Sequence, residues 1–128
     1  MRFISTRAHG YLDYLVGALL IAAPWLFGFA RGGAETWVPV ALGAGALMYS
    51  LMTDYELGLV RAIPMPVHLA LDGMSGLLLL LSPWLFGFAD YVTVPHVMVG
   101  LVELGAAVMT FPHPHARELG PAAAPGRS

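Results

Sequence analysis

The chain contains no cysteine and no lysine, and only 11% of its 128 residues are charged, against roughly a quarter in an ordinary soluble domain. The missing cysteine excludes disulfides, thiolate metal sites and thiol nucleophiles, and leaves the redox compartment unmarked. With a formal charge of -2 there is no basic field to attract a polyanion, so nucleic acid is excluded as a partner. What fills the space is apolar. Hydrophobic residues make up 58% of the chain, which places it in the membrane class and makes the lipid bilayer its first partner. The length is that of one domain.

Four apolar segments appear when the charges are read as punctuation, at about residues 10–30, 37–53, 66–89 and 94–111. Each is near the ~20 residues a helix needs to cross a hydrocarbon core of ~30 Å, the second and fourth at the short end. The fold class expected is an all-α membrane protein with four transmembrane helices in residues 1–112, followed by a flexible Pro/Ala/Gly-rich tail over 113–128. A signal peptide is the rival reading of the first segment, because Arg2 and Arg7 precede it. Two features reject it: the segment carries Asp13, and its pattern returns in the third segment, where no cleavage signal could operate. Arg2, Arg7, Arg61, Arg117 and Arg127 fall on one side of such a bundle and Arg31 alone on the other. Both termini are therefore expected in the cytoplasm, N-in and C-in.

The sequence is written twice. Residues 23–31 read Ala-Pro-Trp-Leu-Phe-Gly-Phe-Ala-Arg and residues 82–90 read Ser-Pro-Trp-Leu-Phe-Gly-Phe-Ala-Asp. At a constant offset of 59, His9 matches His68, Asp13 matches Asp72, Gly17 matches Gly76, and Pro24 to Ala30 match Pro83 to Ala89. With the offset shortened by two, Gly43 matches Gly100, Leu47 matches Leu104, and Met52-Thr53 match Met109-Thr110. One helical hairpin has been duplicated, as repeat 1 at about 9–53 and repeat 2 at about 68–111. Each unit crosses twice, so the two hairpins form a parallel repeat about an axis along the membrane normal.

Elementary chemistry explains the repeated motif as a helix stop and interfacial anchor. Pro24 and Pro83 each remove a donor and crowd the carbonyl four residues earlier, loosening the last turns. Trp25 and Trp84 suit the headgroup level, and Gly28 and Gly87 can end the helix in the left-handed conformation. These two copies resemble the signature of the SPW-repeat family of prokaryotic integral membrane proteins, over about residues 9–111, with Ala23 replacing the serine in the first copy. The resemblance implies a membrane location and two-helix repeats; it brings no established activity, catalytic residue or cofactor.

Ionisable side chains inside a span cost about +2.5 to 3.5 kcal/mol at a helix centre by insertion scales, so they demand a reason. His9 and Asp13 share one helix face, as do His68 and Asp72, and Gly17 and Gly76 continue those faces one turn deeper. Counting ~1.5 Å per residue, Asp72 and Glu103 lie about 9 and 10 Å from the cytoplasmic end. A buried cluster of His9, Asp13, His68, Asp72 and Glu103 is expected, the first and third helices meeting histidine to aspartate. Four roles stay open: interhelical packing, a divalent metal site, a proton or ion relay, and haem ligation, for which no attachment motif exists. His96 is expected to cap or hydrogen-bond at the outer start of the fourth helix, and His113 and His115 offer a chelating tail. No nucleophile with a base and no phosphate-binding glycine loop is found, so no enzyme is expected. The favoured expectation is a non-enzymatic helix-packing protein, a homo-oligomer or a subunit beside other membrane proteins; the alternative is a small ion, proton or metal transporter. Ala41, Gly43, Gly45, Gly100 and Gly105 are the close-contact residues expected to serve the partner face.

Overall fold

A computed structural model describes residues 2–113, and they form four helices: α1 (Thr6–Leu26), α2 (Ala34–Leu51), α3 (Met65–Leu85) and α4 (Val94–Met109). The expected flexible tail lies outside the described residues, apart from His113, which is exposed. Local chemistry sets the boundaries. Ser5 accepts a hydrogen bond from the Ala8 amide at 3.1 Å and so starts α1 earlier than hydropathy implies. Pro64 and Pro66 open α3, and Thr93 and Pro95 open α4, where a missing N–H costs nothing.

The Pro-Trp-Leu-Phe-Gly-Phe ends close their helices by a specific hydrogen-bond pattern. Gly28 and Gly87 adopt φ of 70° and 73°, the left-handed region that glycine enters without a Cβ penalty. The chain then folds back, so that the Phe29 amide donates to the Pro24 carbonyl at 2.9 Å and the Gly28 amide to Trp25 at 3.3 Å. This is the Schellman arrangement, and the second copy repeats its long bond from Phe88 to Pro83 at 2.8 Å. Phe29 and Phe88 are thereby turned inward and buried, while Trp25 and Trp84 stay 57% and 59% exposed.

Packing is densest within each hairpin, α1 on α2 and α3 on α4, thinner between α2 and α3, and sparse between α1 and α4. Glycines make the tight crossings. A Cβ on Gly43 would lie 2.6 Å from the Gly17 carbonyl oxygen, and one on Gly100 would lie 2.7 Å from that of Gly76. Gly43 and Gly100 are thus consumed inside the hairpins, contrary to the expectation that they serve a partner; Gly45 and Gly105 have open space where a side chain would sit. Small residues that let backbones approach closely favour the van der Waals packing that, with hydrogen bonds, associates helices in lipid.

The repeat also extends further upstream than hydropathy implies, because the segment before each α-helical hairpin pairs with the end of the other. Ile4 bridges to Thr110 just past α4, and Ile63 bridges to Thr53 just past α2. The Phe3 and Ile4 amides both donate to Met109 O, and the Ala62 and Ile63 amides both donate to Met52 O. The chain ends are therefore joined as the middle of the chain is joined, and the two hairpins close into a ring.

Among the described residues, α3 is the helix both long and apolar enough to cross a membrane; α4 is apolar but has 16 residues. α1 equals α3 at 21 residues, and its early turns carry Arg7, His9 and Asp13.

Candidate functional site: a buried histidine–aspartate tetrad

The duplicated His-x-x-x-Asp stripes of α1 and α3 meet inside the bundle, in the first two turns of both helices. His9 Nε2 lies 2.6 Å from Asp72 Oδ2 and 3.0 Å from Asp13 Oδ1. His68 Nε2 lies 3.0 Å from Asp13 Oδ2 and 3.1 Å from Asp72 Oδ2. Each histidine thus faces the aspartate of its own helix and that of the other repeat. Burial is nearly complete, with the His9 and His68 side chains 2% and 0% exposed and both carboxylates 8%.

The outer nitrogens are held by threonines exchanged between repeats. His9 Nδ1 is 2.7 Å from Thr110 Oγ1, and His68 Nδ1 is 2.7 Å from Thr53 Oγ1. Each threonine hydroxyl also reaches the carbonyl one turn back, Thr53 to Tyr49 O at 2.6 Å and Thr110 to Ala106 O at 2.5 Å. A hydroxyl has one proton to donate. Spent on the carbonyl, it leaves Oγ1 as the acceptor and makes Nδ1 of both histidines the protonated nitrogen.

Two tyrosines complete the ring. Tyr55, from the loop between α2 and α3, is 1% exposed and donates to Asp13 Oδ2 at 2.8 Å, while Tyr49 of α2 donates to Asp72 Oδ1. Burial, reinforced by the Asp13 carboxylate, pushes the Tyr55 phenol above its ordinary range and keeps it a donor. The loop that delivers Tyr55 contains no helix; it folds back under α1, Tyr14 donating to Leu57 O at 2.7 Å and Thr6 to the Glu56 carboxylate at 2.8 Å.

Glu103 stands beside the tetrad and not in it. It borders, with His9, Asp13 and Asp72, a cavity of about 20 Å³, enough for one water-sized guest. Its counterpart in repeat 1 is Ala46, and the counterpart of Tyr49 is Ala106. The surroundings of the tetrad are therefore less symmetric than its core. Thr53, Thr110, Tyr49 and Tyr55 were not singled out as site residues by the sequence. The matched threonines carried a signal in the repeat register, whereas neither tyrosine is duplicated.

At the outer end proline and polar chemistry interlock again. Pro39 has no N–H for the Glu35 carbonyl four residues before it, and His96 Nε2 donates there instead at 2.9 Å. His96 is wedged between the rings of Phe29 and Phe88, at centroid separations of 5.1 and 4.8 Å. Likewise Pro83 leaves Leu79 O without its helical donor, and Ser82 Oγ supplies one at 2.7 Å. Ala23 cannot do the same for Leu20, so the serine of the second motif completes its helix in a way the first does not.

A duplicated hairpin closed by Pro-Trp ends, with a helix of spanning length and apolarity, defines a repeat-built helical protein of membrane type. The SPW repeat domain family matches residues 7–110, and the chain belongs to that family. Among curated proteins and among solved structures nothing matches.

Proposed function

We propose that the protein spans the prokaryotic cytoplasmic membrane four times with both termini in the cytoplasm. In this reading it acts without catalysis as a helix-packing protein, a homo-oligomer or an accessory subunit of a membrane complex. One observation carries the reading: the polar groups of the duplicated stripes are turned inward and bonded to one another, while the perimeter is apolar. Leu15, Met48, Met74 and Met98 are each more than half exposed, as lipid-facing or partner-facing side chains must be. Between α2 and α3, where packing is thin, Ala41, Leu42, Gly45, Tyr49, Leu71 and Met74 line an open groove. Gly45 at its floor lets a further helix approach closely.

Crosslinking in native membranes tests this. A fixed oligomer or constant companion is expected, weakened by Gly45→Leu; monomer alone under all conditions contradicts it. The second reading, a small ion, proton or metal transporter, is favoured by Glu103 facing the tetrad across a shared cavity. Replacing Asp13, Asp72 and Glu103 by their amides should then abolish flux in liposomes without disturbing assembly, and unchanged flux removes the reading.

A further inference from the structure

The tetrad has a property that packing does not require. His9 Nε2 donates to Asp72 Oδ2 at 2.6 Å; with Nδ1 protonated on both histidines, the neutral form of each ring would instead direct the Nε2 lone pair at the centre of the cluster. Nε2 of His68 lies within 3.1 Å of two carboxylate oxygens, yet neither contact is aligned as a hydrogen bond, in a residue 0% exposed. A lone pair there is repelled by the oxygens, and a proton there is poorly directed. A cation between the four groups resolves both.

We propose that His9, Asp13, His68 and Asp72 form a binding site for one divalent first-row transition metal ion, of the zinc type. Each residue offers one ligand atom, and the four lie within 4.8 Å of one another. Tetrahedral bonds of about 2.0–2.1 Å separate neighbouring ligand atoms by about 3.3 Å, so the histidine–aspartate contacts of 2.6–3.1 Å open slightly and the wider pairs, up to 4.8 Å apart, close in around the ion. Two neutral imidazoles and two carboxylates balance a dipositive charge, which matters where an unpaired charge is costly. Two nitrogens and two oxygens suit zinc, iron or manganese; calcium and magnesium want six or more oxygens.

The outer partners match those that orient metal ligands. Thr110 and Thr53 hold the non-ligating Nδ1–H of His9 and His68, and the Tyr55 and Tyr49 phenols fix the two carboxylates. Each repeat contributes one histidine and one aspartate, so the ion would join repeat 1 to repeat 2. This goes beyond the helix-packing reading and does not depend on it, because the site lies within a single chain and can fill whether or not copies associate.

The test is titration of the full-length detergent-solubilised protein, stripped with chelator, using zinc(II) and then cobalt(II). Stoichiometric zinc is expected, with the intense visible bands of four-coordinate cobalt. Both should be lost in Asp72→Asn and in His68→Gln, and retained in the double variant His113→Ala, His115→Ala. Thr53→Val keeps every ligand and should weaken binding by about 10–100-fold. The proposal is overturned if the unmodified protein binds no zinc or cobalt, a result that needs no variant to fold. It is also overturned if bound zinc survives Asp72→Asn unchanged or disappears with the tail histidines.

Discussion

At the scale of single residues, the account rests on where a few protons sit. Because Thr53 and Thr110 spend their hydroxyl protons on Tyr49 O and Ala106 O, they accept from the histidines. Nitrogen NMR of histidine-labelled protein should therefore find Nδ1 protonated in His9 and His68 and Nε2 protonated in His96, whose Nε2 faces a carbonyl. Replacing either threonine by valine leaves a buried N–H without an acceptor, and should lower unfolding stability by about 1–3 kcal/mol. Ser82→Ala, which removes a bond within α3, should cost less, about 0.6 kcal/mol, the average size of a polar side-chain contact in a membrane protein. The same measurement on Ala23→Ser should show a gain if its hydroxyl reaches Leu20 O as Ser82 reaches Leu79 O. A loss on adding the serine would contradict the role given to Ser82.

At the scale of helices, glycine position decides which faces are closed and which are open. A methyl group at Gly43 or Gly100 meets the backbone of the partner helix, so either change to alanine should destabilise the monomer by about 1–3 kcal/mol, as overpacking does. Gly45→Ala and Gly105→Ala meet nothing and should be neutral or stabilising by up to about 1 kcal/mol, the helix propensity difference. Thermal or denaturant unfolding in monodisperse detergent distinguishes the two pairs. Much of this level was legible in the sequence. Proline, tryptophan and glycine in fixed order state a helix end, and the offset of 59 puts the His-x-x-x-Asp pairs on equivalent faces. Helix starts were less legible, since the turn from Thr6 to His9 is polar and its start is set by the Ser5 cap. The small residues at 43 and 100 read equally well as inner or outer contacts, because composition does not reveal which side of a helix is occupied.

At the scale of the whole molecule, the two repeats exchange their threonines and their leading arms around the tetrad. His9 takes the threonine of repeat 2 and His68 that of repeat 1; the arm before α1 pairs with the end of α4 as the arm before α3 pairs with the end of α2. The sequence announced the duplication but not the exchange. A repeat register says which residues are equivalent, while their partners depend on how the copies close on each other. Tyr55 escaped notice for a related reason: it has no counterpart in the register, and it reaches the centre only because its loop folds back under α1.

The absence of cysteine makes the exchange directly measurable by disulfide trapping in membranes. Phe3 and Met109 are brought side by side by the Ile4–Thr110 bridge, whereas Met52, the equivalent of Met109, pairs with the segment before α3. Oxidation of the double variant Phe3→Cys, Met109→Cys should give an intramolecular disulfide, and Phe3→Cys, Met52→Cys should give none. Crosslinking of position 3 to 52 in preference to 109 would mean that each hairpin closes on itself, and the shared tetrad could not form as described.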